Sequence, residues 1–133
     1  MSSVVVDTNI LSYELKRDTR AAIYAPYLQN RTLAISFVTL AELSLWTNRR
    51  NWGTRRLSEM DALLSEYFVI YPNDEICRIW ARITLLCERK GRKIAENDAW
   101  IASCAVHYDA PLITHNWRDF ANVPDLDVIT ENA

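Results

Sequence analysis

The sequence predicts an α/β fold, with a mainly parallel central sheet of four to five strands flanked by helices. Two observations predict it. Short β-branched or apolar runs alternate with longer stretches of helical periodicity along all 133 residues, and strands that alternate with helices build a parallel sheet. Half the residues are apolar, 24% are charged, and there are only two glycines and four prolines, a globular composition rather than a disordered one. The length suits a single domain over residues 1–133 that can bury a core without staples.

The elements follow in order. Val4–Asp7 is a β-branched run that reads as a buried strand and stops at Asp7-Thr8-Asn9. Ile10, Leu11, Tyr13 and Leu15 suggest a helix, and Arg20–Asn30 a second, irregular one that contains Pro26. Leu33–Ser36 is the second strand. Thr39 is expected to open a helix running to about Asn48. Asn51-Trp52-Gly53 breaks the pattern before Leu57, Met60, Leu63 and Leu64 recur at helical spacing. Tyr67–Tyr71 is a strand stopped by Pro72, and Asn73 can cap a helix whose apolar face carries Ile76, Ile79, Trp80 and Ile83 up to Gly91. Trp100, Ile101, Cys104, Ala105 and Tyr108 mark the last long helix. Leu112–Thr114 is a fourth strand, and Asp127–Thr130 a candidate fifth.

Composition narrows the function. No basic stretch followed by an apolar run opens the chain, so no signal peptide is expected, and no apolar run approaches the ~18 residues of a membrane span. The three cysteines, Cys77, Cys87 and Cys104, are odd in number and lie in helical patterns. They read as buried free thiols in a reducing cytoplasm. Neither they nor His107 and His115 have zinc-ligand spacing. A net charge of −2 argues against a generally basic nucleic-acid binder, yet permits an acidic centre with a local basic rim.

In parallel sheets, ligands bind beyond the carboxyl ends of the strands, and there this sequence places acids. Asp7 closes the first strand, and Glu42 follows the second, in the first turn of the expected helix. Asn116 and Asp119 follow the fourth strand, and Asp98 lies at the start of its own helix. Two carboxylates ~5 Å apart repel by about 3 kcal/mol at an effective dielectric of ~20, so such a cluster must share protons, pair with cations or hold a metal. Oxygen donors without histidine or thiolate suit a hard cation, Mg²⁺ or alternatively Mn²⁺. Such an ion orients and acidifies a water and neutralises charge building on a phosphate.

Each acid also has a plainer reading. Asp7 fits a helix N-cap. Thr39-Leu40-Ala41-Glu42 matches the Thr-x-x-Glu capping box. Asp98 would complement a helix dipole, and Asp119 and Asn116 would be ordinary loop residues. The combined spacing, not any single acid, favours a shared site.

Asp7-Thr8-Asn9 directly after an apolar strand resembles the opening signature of the PIN domain. Ser36-Phe37-Val38-Thr39-Leu40-Ala41-Glu42-Leu43 resembles the segment with the family glutamate, and Asn97-Asp98-Ala99-Trp100-Ile101-Ala102 the one with its central aspartate. Leu112-Ile113-Thr114-His115-Asn116-Trp117-Arg118-Asp119-Phe120 resembles the closing segment. The resemblance covers nearly the whole chain, and the length is similar to that of the VapC toxins of type II toxin–antitoxin systems. It implies a three-layer PIN-like sandwich with a mixed, mostly parallel sheet. It also implies Mg²⁺-dependent cleavage of cellular RNA (tRNA is one candidate), homodimerisation, and neutralisation by a VapB-like antitoxin. By the same resemblance Asp7 and Asp98 are the metal ligands, and Glu42 completes the site or polarises a water. Thr8 and Asn9 steady Asp7, with Thr114 beside them. Many relatives carry an aspartate where this chain has Asn116, so Asp119 is expected to supply the fourth carboxylate.

Arg49, Arg50, Arg55 and Arg56 bracket Trp52, and Arg89, Lys90, Arg92 and Lys93 precede the Asp98 helix. Basic groups bind phosphates, and Trp46 or Trp52 can stack on an unpaired base. A solvated charged surface or a partner interface is the competing reading, and Trp80 and Trp100 are expected in the core. Three other functions compete: a PIN nuclease of RNA processing without a toxin role, a receiver-like signalling domain, and a non-catalytic acidic-pocket module. A receiver needs a lysine after a late strand, where His115-Asn116 stands here.

Overall fold

The computed structural model describes residues 2–132. The elements are β1 (Ser3–Val6), α1 (Thr8–Lys16), α2 (Arg20–Leu28), β2 (Thr32–Ser36), α3 (Phe37–Arg49), α4 (Thr54–Leu64), β3 (Phe68–Ile70), α5 (Asp74–Arg89), α6 (Glu96–His107), β4 (Leu112–Ile113), a 3₁₀ turn (Trp117–Phe120) and β5 (Val128–Ile129). The strands form one sheet in the order β3-β2-β1-β4-β5, and every pairing is parallel. The sheet is therefore wholly parallel rather than mixed, because each strand is returned to the same end by a helical or looped crossover.

Period-two alternation divides the sheet's two faces. Val5, Ala34, Ile70 and Leu112 pack beneath α5 and α6 with Ile76, Ile83, Ile101 and Phe120. Val4, Val6, Ile35 and Ile113 point the other way, against Leu11, Tyr24, Leu43 and Met60 of the first four helices. The result is a helix–sheet–helix sandwich with a core on each face. Its central strands are buried on both sides, which is why they read as unbroken apolar runs.

Several local expectations are corrected. Helix α3 begins at Phe37, capped by the Ser36 hydroxyl, which accepts from the Val38 N–H at 3.1 Å. Thr39 is therefore inside the helix, the capping box does not form, and Glu42 lies in the second turn. Tyr67 is outside β3. Cys77 is exposed, while Cys87 and Cys104 are buried free thiols. Trp80 and Trp100 are only half-buried and stack on each other, centroids 5.0 Å apart.

Candidate active site

β1 is flanked by β2 on one side and β4 on the other, so the strand order reverses there, with β2 and β3 to one side and β4 and β5 to the other. The crevice beyond its carboxyl end is where an open parallel sheet places its ligand, and Asp7 stands there. It is 6% exposed, caps α1, and accepts from the Thr8 N–H at 2.8 Å. The capping and site readings are thus both satisfied by one side chain. Its second oxygen accepts from the Thr114 hydroxyl at 2.7 Å and the Asn9 amide at 3.3 Å. Thr114 follows β4 and is fully buried. Asn9 in turn accepts from the His115 N–H at 3.4 Å, which ties the ends of β1 and β4 together.

Thr8 divides its groups. Its N–H supports Asp7, but its hydroxyl donates to Glu42 Oε1 at 2.7 Å, so it serves two acids where the sequence suggested Asp7 alone. Asp98 lies in the first turn of α6, half-buried. Asp119 is exposed on the 3₁₀ turn.

Electrostatics binds the four acids into one group. Burial pushes Asp7 above the ordinary carboxylate range, against the opposing hydrogen bonds from Thr114 and Thr8, and the charges of Glu42 and Asp119 push the same way. Burial, then the charges of Asp7, Asp119 and Glu42, raises Asp98 to about 7. Acids from β1, α3, α6 and the 3₁₀ turn thus feel one another across the crevice. Among the described residues, no three Asp, Glu, His or Cys side chains already close on a common point. The donor set still fits a hard divalent ion. It is all oxygen, its charges are uncompensated, and a small cation such as Mg²⁺ keeps several waters and needs only one or two direct carboxylates. Asn116 contributes no such charge; its N–H donates to the Thr114 hydroxyl at 3.0 Å.

Two clefts flank the acids. Asp98 and Asp119 line one of about 330 Å³ with Arg92, Lys93 and Arg118. Thr8 and Glu42 line another of about 200 Å³ with Ser12, Lys16 and Trp46. Lys16 lies 5.3 Å from the Trp46 ring and Arg50 5.9 Å. Sequence reasoning missed Lys16 and Arg118. The i, i+4 spacing of Thr8, Ser12 and Lys16, repeated in Glu42, Trp46 and Arg50, puts each set on one helix face and was a readable signal. Arg49 and Arg50 are exposed. Arg55 is exposed and lies 3.8 Å from Glu59. The Arg56 guanidinium is already engaged: it donates to the Leu15 carbonyl, pairs with Glu59 at 3.2 Å and stacks 4.0 Å over Trp52.

The PIN domain family model matches residues 4–126.

The chain belongs to the PIN-domain family.

Within it, the chain is 33% identical over 124 residues to ribonuclease VapC1 of Haemophilus influenzae, covering 92% of each chain. It is 31% identical over 130 residues to ribonuclease VapC2 of Rickettsia felis, covering 96% of each. Among solved structures, it superposes on a chain of Rickettsia felis VapBC2 bound to a DNA fragment from their promoter, with TM-score 0.86, 27% identity, and 98% and 99% of the two chains covered. A chain of VapBC-1 from nontypeable Haemophilus influenzae gives TM-score 0.78 at 31% identity, covering 96% and 97%. These similarities place this PIN domain among the VapC ribonucleases.

Proposed function

We propose that this PIN domain, acting as a single unit over residues 1–133, is a divalent-metal-dependent endoribonuclease and the toxin of a two-component module. The observation that carries the reading is the convergence of Asp7, Glu42, Asp98 and Asp119 beyond β1 and β4, where burial first and then the charges of its neighbours raise Asp98 to about 7. Carboxylates crowded in this way take up protons or bind a cation, and one divalent ion would relieve the whole group. VapC ribonucleases supply the chemistry that such a site would serve.

Asp7 and Asp98 would hold the ion, Mg²⁺ or in its place Mn²⁺, with Asp119 reaching it directly or through water. When bound, the ion would acidify a water and neutralise charge gathering on the scissile phosphate. The protein's own residues do the rest. Thr8, Asn9 and Thr114 fix the Asp7 carboxylate from three sides. Glu42, with Oε1 held by Thr8, offers Oε2 to take a proton from the attacking water. Asn116 braces the turn that presents Asp119 through its carbonyl, which accepts the Asp119 N–H at 3.1 Å.

Lys16, Arg49, Arg50 and Arg55 on one side, and Arg92, Lys93 and Arg118 on the other, would take RNA phosphates, with Arg56 holding α4 against α1. The neighbouring solved complexes contain VapB with VapC, two of them on DNA. By that likeness a VapB-like antitoxin neutralises this chain, presenting a basic side chain to the acids, and the toxin acts in the cytoplasm as a homodimer. Among the described residues no helix is long and apolar enough to cross a membrane.

The test is cleavage of labelled RNA, tRNA among the substrates. Purified protein should cut in Mg²⁺, stop on addition of EDTA and resume when Mn²⁺ is supplied. Cutting that continues in EDTA would overturn the metal reading.

A further inference from the structure

Thr39 is a fully buried polar residue left without its expected task, since Ser36 rather than Thr39 caps α3. Among the described residues its hydroxyl has one partner, the Thr8 hydroxyl at 2.9 Å. The Thr8 hydroxyl is also 2.7 Å from Glu42 Oε1. A threonine hydroxyl has one proton to donate and two lone pairs to accept with. A carboxylate only accepts, so the Thr8 proton goes to Glu42. The Thr39 proton must then go to Thr8, because two hydroxyl oxygens at hydrogen-bonding distance need one proton between them.

We infer that Thr39 is a positioning residue for Glu42, acting through a one-way hydroxyl relay, Thr39 to Thr8 to Glu42 Oε1. The relay fixes the Thr8 rotor. Without Thr39, the Thr8 oxygen loses the donor that anchors it, and the hydroxyl that Glu42 leans on is no longer held in place. Burial makes the device stiff: Thr39 has no water to substitute for Thr8, and a buried hydroxyl strongly prefers a partner. The relay joins α3 to the first turn of α1, so it also sets how Glu42 faces Asp7 across the crevice. The inference rests on the ribonuclease reading for its effect on rate, but not for the relay itself.

The experiment compares Thr39→Val, which removes the hydroxyl and keeps the shape, with Thr39→Ser, which keeps the hydroxyl. Two readouts are taken: steady-state RNA cleavage in Mg²⁺, and the side-chain carboxyl ¹³C resonance of Glu42 in the metal-free protein. Thr39→Val should lower kcat by about three- to tenfold, the scale of one hydrogen bond between neutral groups, with KM within about twofold. It should also move the Glu42 resonance, and Thr39→Ser should restore both. A Thr39→Val protein with unchanged kcat, or an unmoved Glu42 resonance, overturns the relay. So does equal impairment of the Val and Ser proteins, which would mark Thr39 as a packing residue. Should Thr39→Val not fold, Thr39→Cys, a weak donor, takes its place, and the same two readouts decide in the same way. If the unmodified protein cuts no RNA, the ribonuclease reading fails, and the Glu42 resonance alone decides the relay.

Discussion

Asp7 ends a strand, caps a helix and anchors an acidic cluster with the same two oxygens. Substituting Asp7→Asn or Asp98→Asn should each lower RNA cleavage by more than about a hundredfold, as loss of charge at a metal ligand does, while far-ultraviolet circular dichroism stays native. Thr114→Val leaves a buried carboxylate oxygen short of its main donor, so it should cost roughly 1–3 kcal/mol in urea unfolding besides slowing cleavage. Asp98 gives a pH prediction. Folded, it keeps its proton up to about pH 7; unfolded, it releases it near pH ~4. The folded state therefore binds more protons between those values, and stability of the metal-free protein falls as pH rises through that window. Asp98→Asn removes the effect. Its melting temperature should exceed that of the unmodified protein at pH 8, and the gap should shrink towards pH 5. A gap that widens on acidification would mean that Asp98 is stabilised as an anion.

Most elements were legible in the sequence because their signals are local. The β-branched run at Val4–Val6, the Asn73 cap of α5 and the apolar spacing of Ile76, Ile79 and Ile83 each need only neighbours in the chain. The start of α3 was not legible. Ser36 and Thr39 are both good caps, and only the end of β2 decides between them: pairing of Ser36 with Ile70 carries the strand right up to the cap. Ser36→Ala should therefore cost about 1 kcal/mol in a denaturation midpoint, whereas capping by Thr39 would leave that midpoint unchanged. The four acids were legible as a set, since each follows a strand or opens a helix. Thr8's bond to Glu42 was not, since it depends on how α1 and α3 meet. Arg56 shows the same limit: next to Arg55 in sequence, it is drawn inward by Leu15, Glu59 and Trp52. Arg56→Ala should weaken folding more than RNA binding. Arg49→Ala should do the reverse, lowering the slope of log affinity against log salt by about one.

At the scale of the whole molecule, a chain of net charge −2 concentrates acids beyond the carboxyl end of the central strand of a parallel sheet and sets cations on both sides of them. That distribution suits a polyanion that approaches along the basic flanks and meets the acids only where a divalent cation has offset them. It also links metal to stability. An ion bound by the folded chain alone stabilises it by about 2.7 kcal/mol at a hundred times its Kd, so Mg²⁺ or Mn²⁺ should raise the melting temperature of the unmodified protein and leave that of Asp98→Asn nearly unmoved. The most direct measurement of the central claim is anomalous diffraction from crystals soaked in Mn²⁺. One strong peak is predicted between the carboxylates of Asp7 and Asp98, lost in Asp98→Asn. Well-ordered crystals in saturating Mn²⁺ with no peak there, or with the ion bound elsewhere on the molecule, would contradict it.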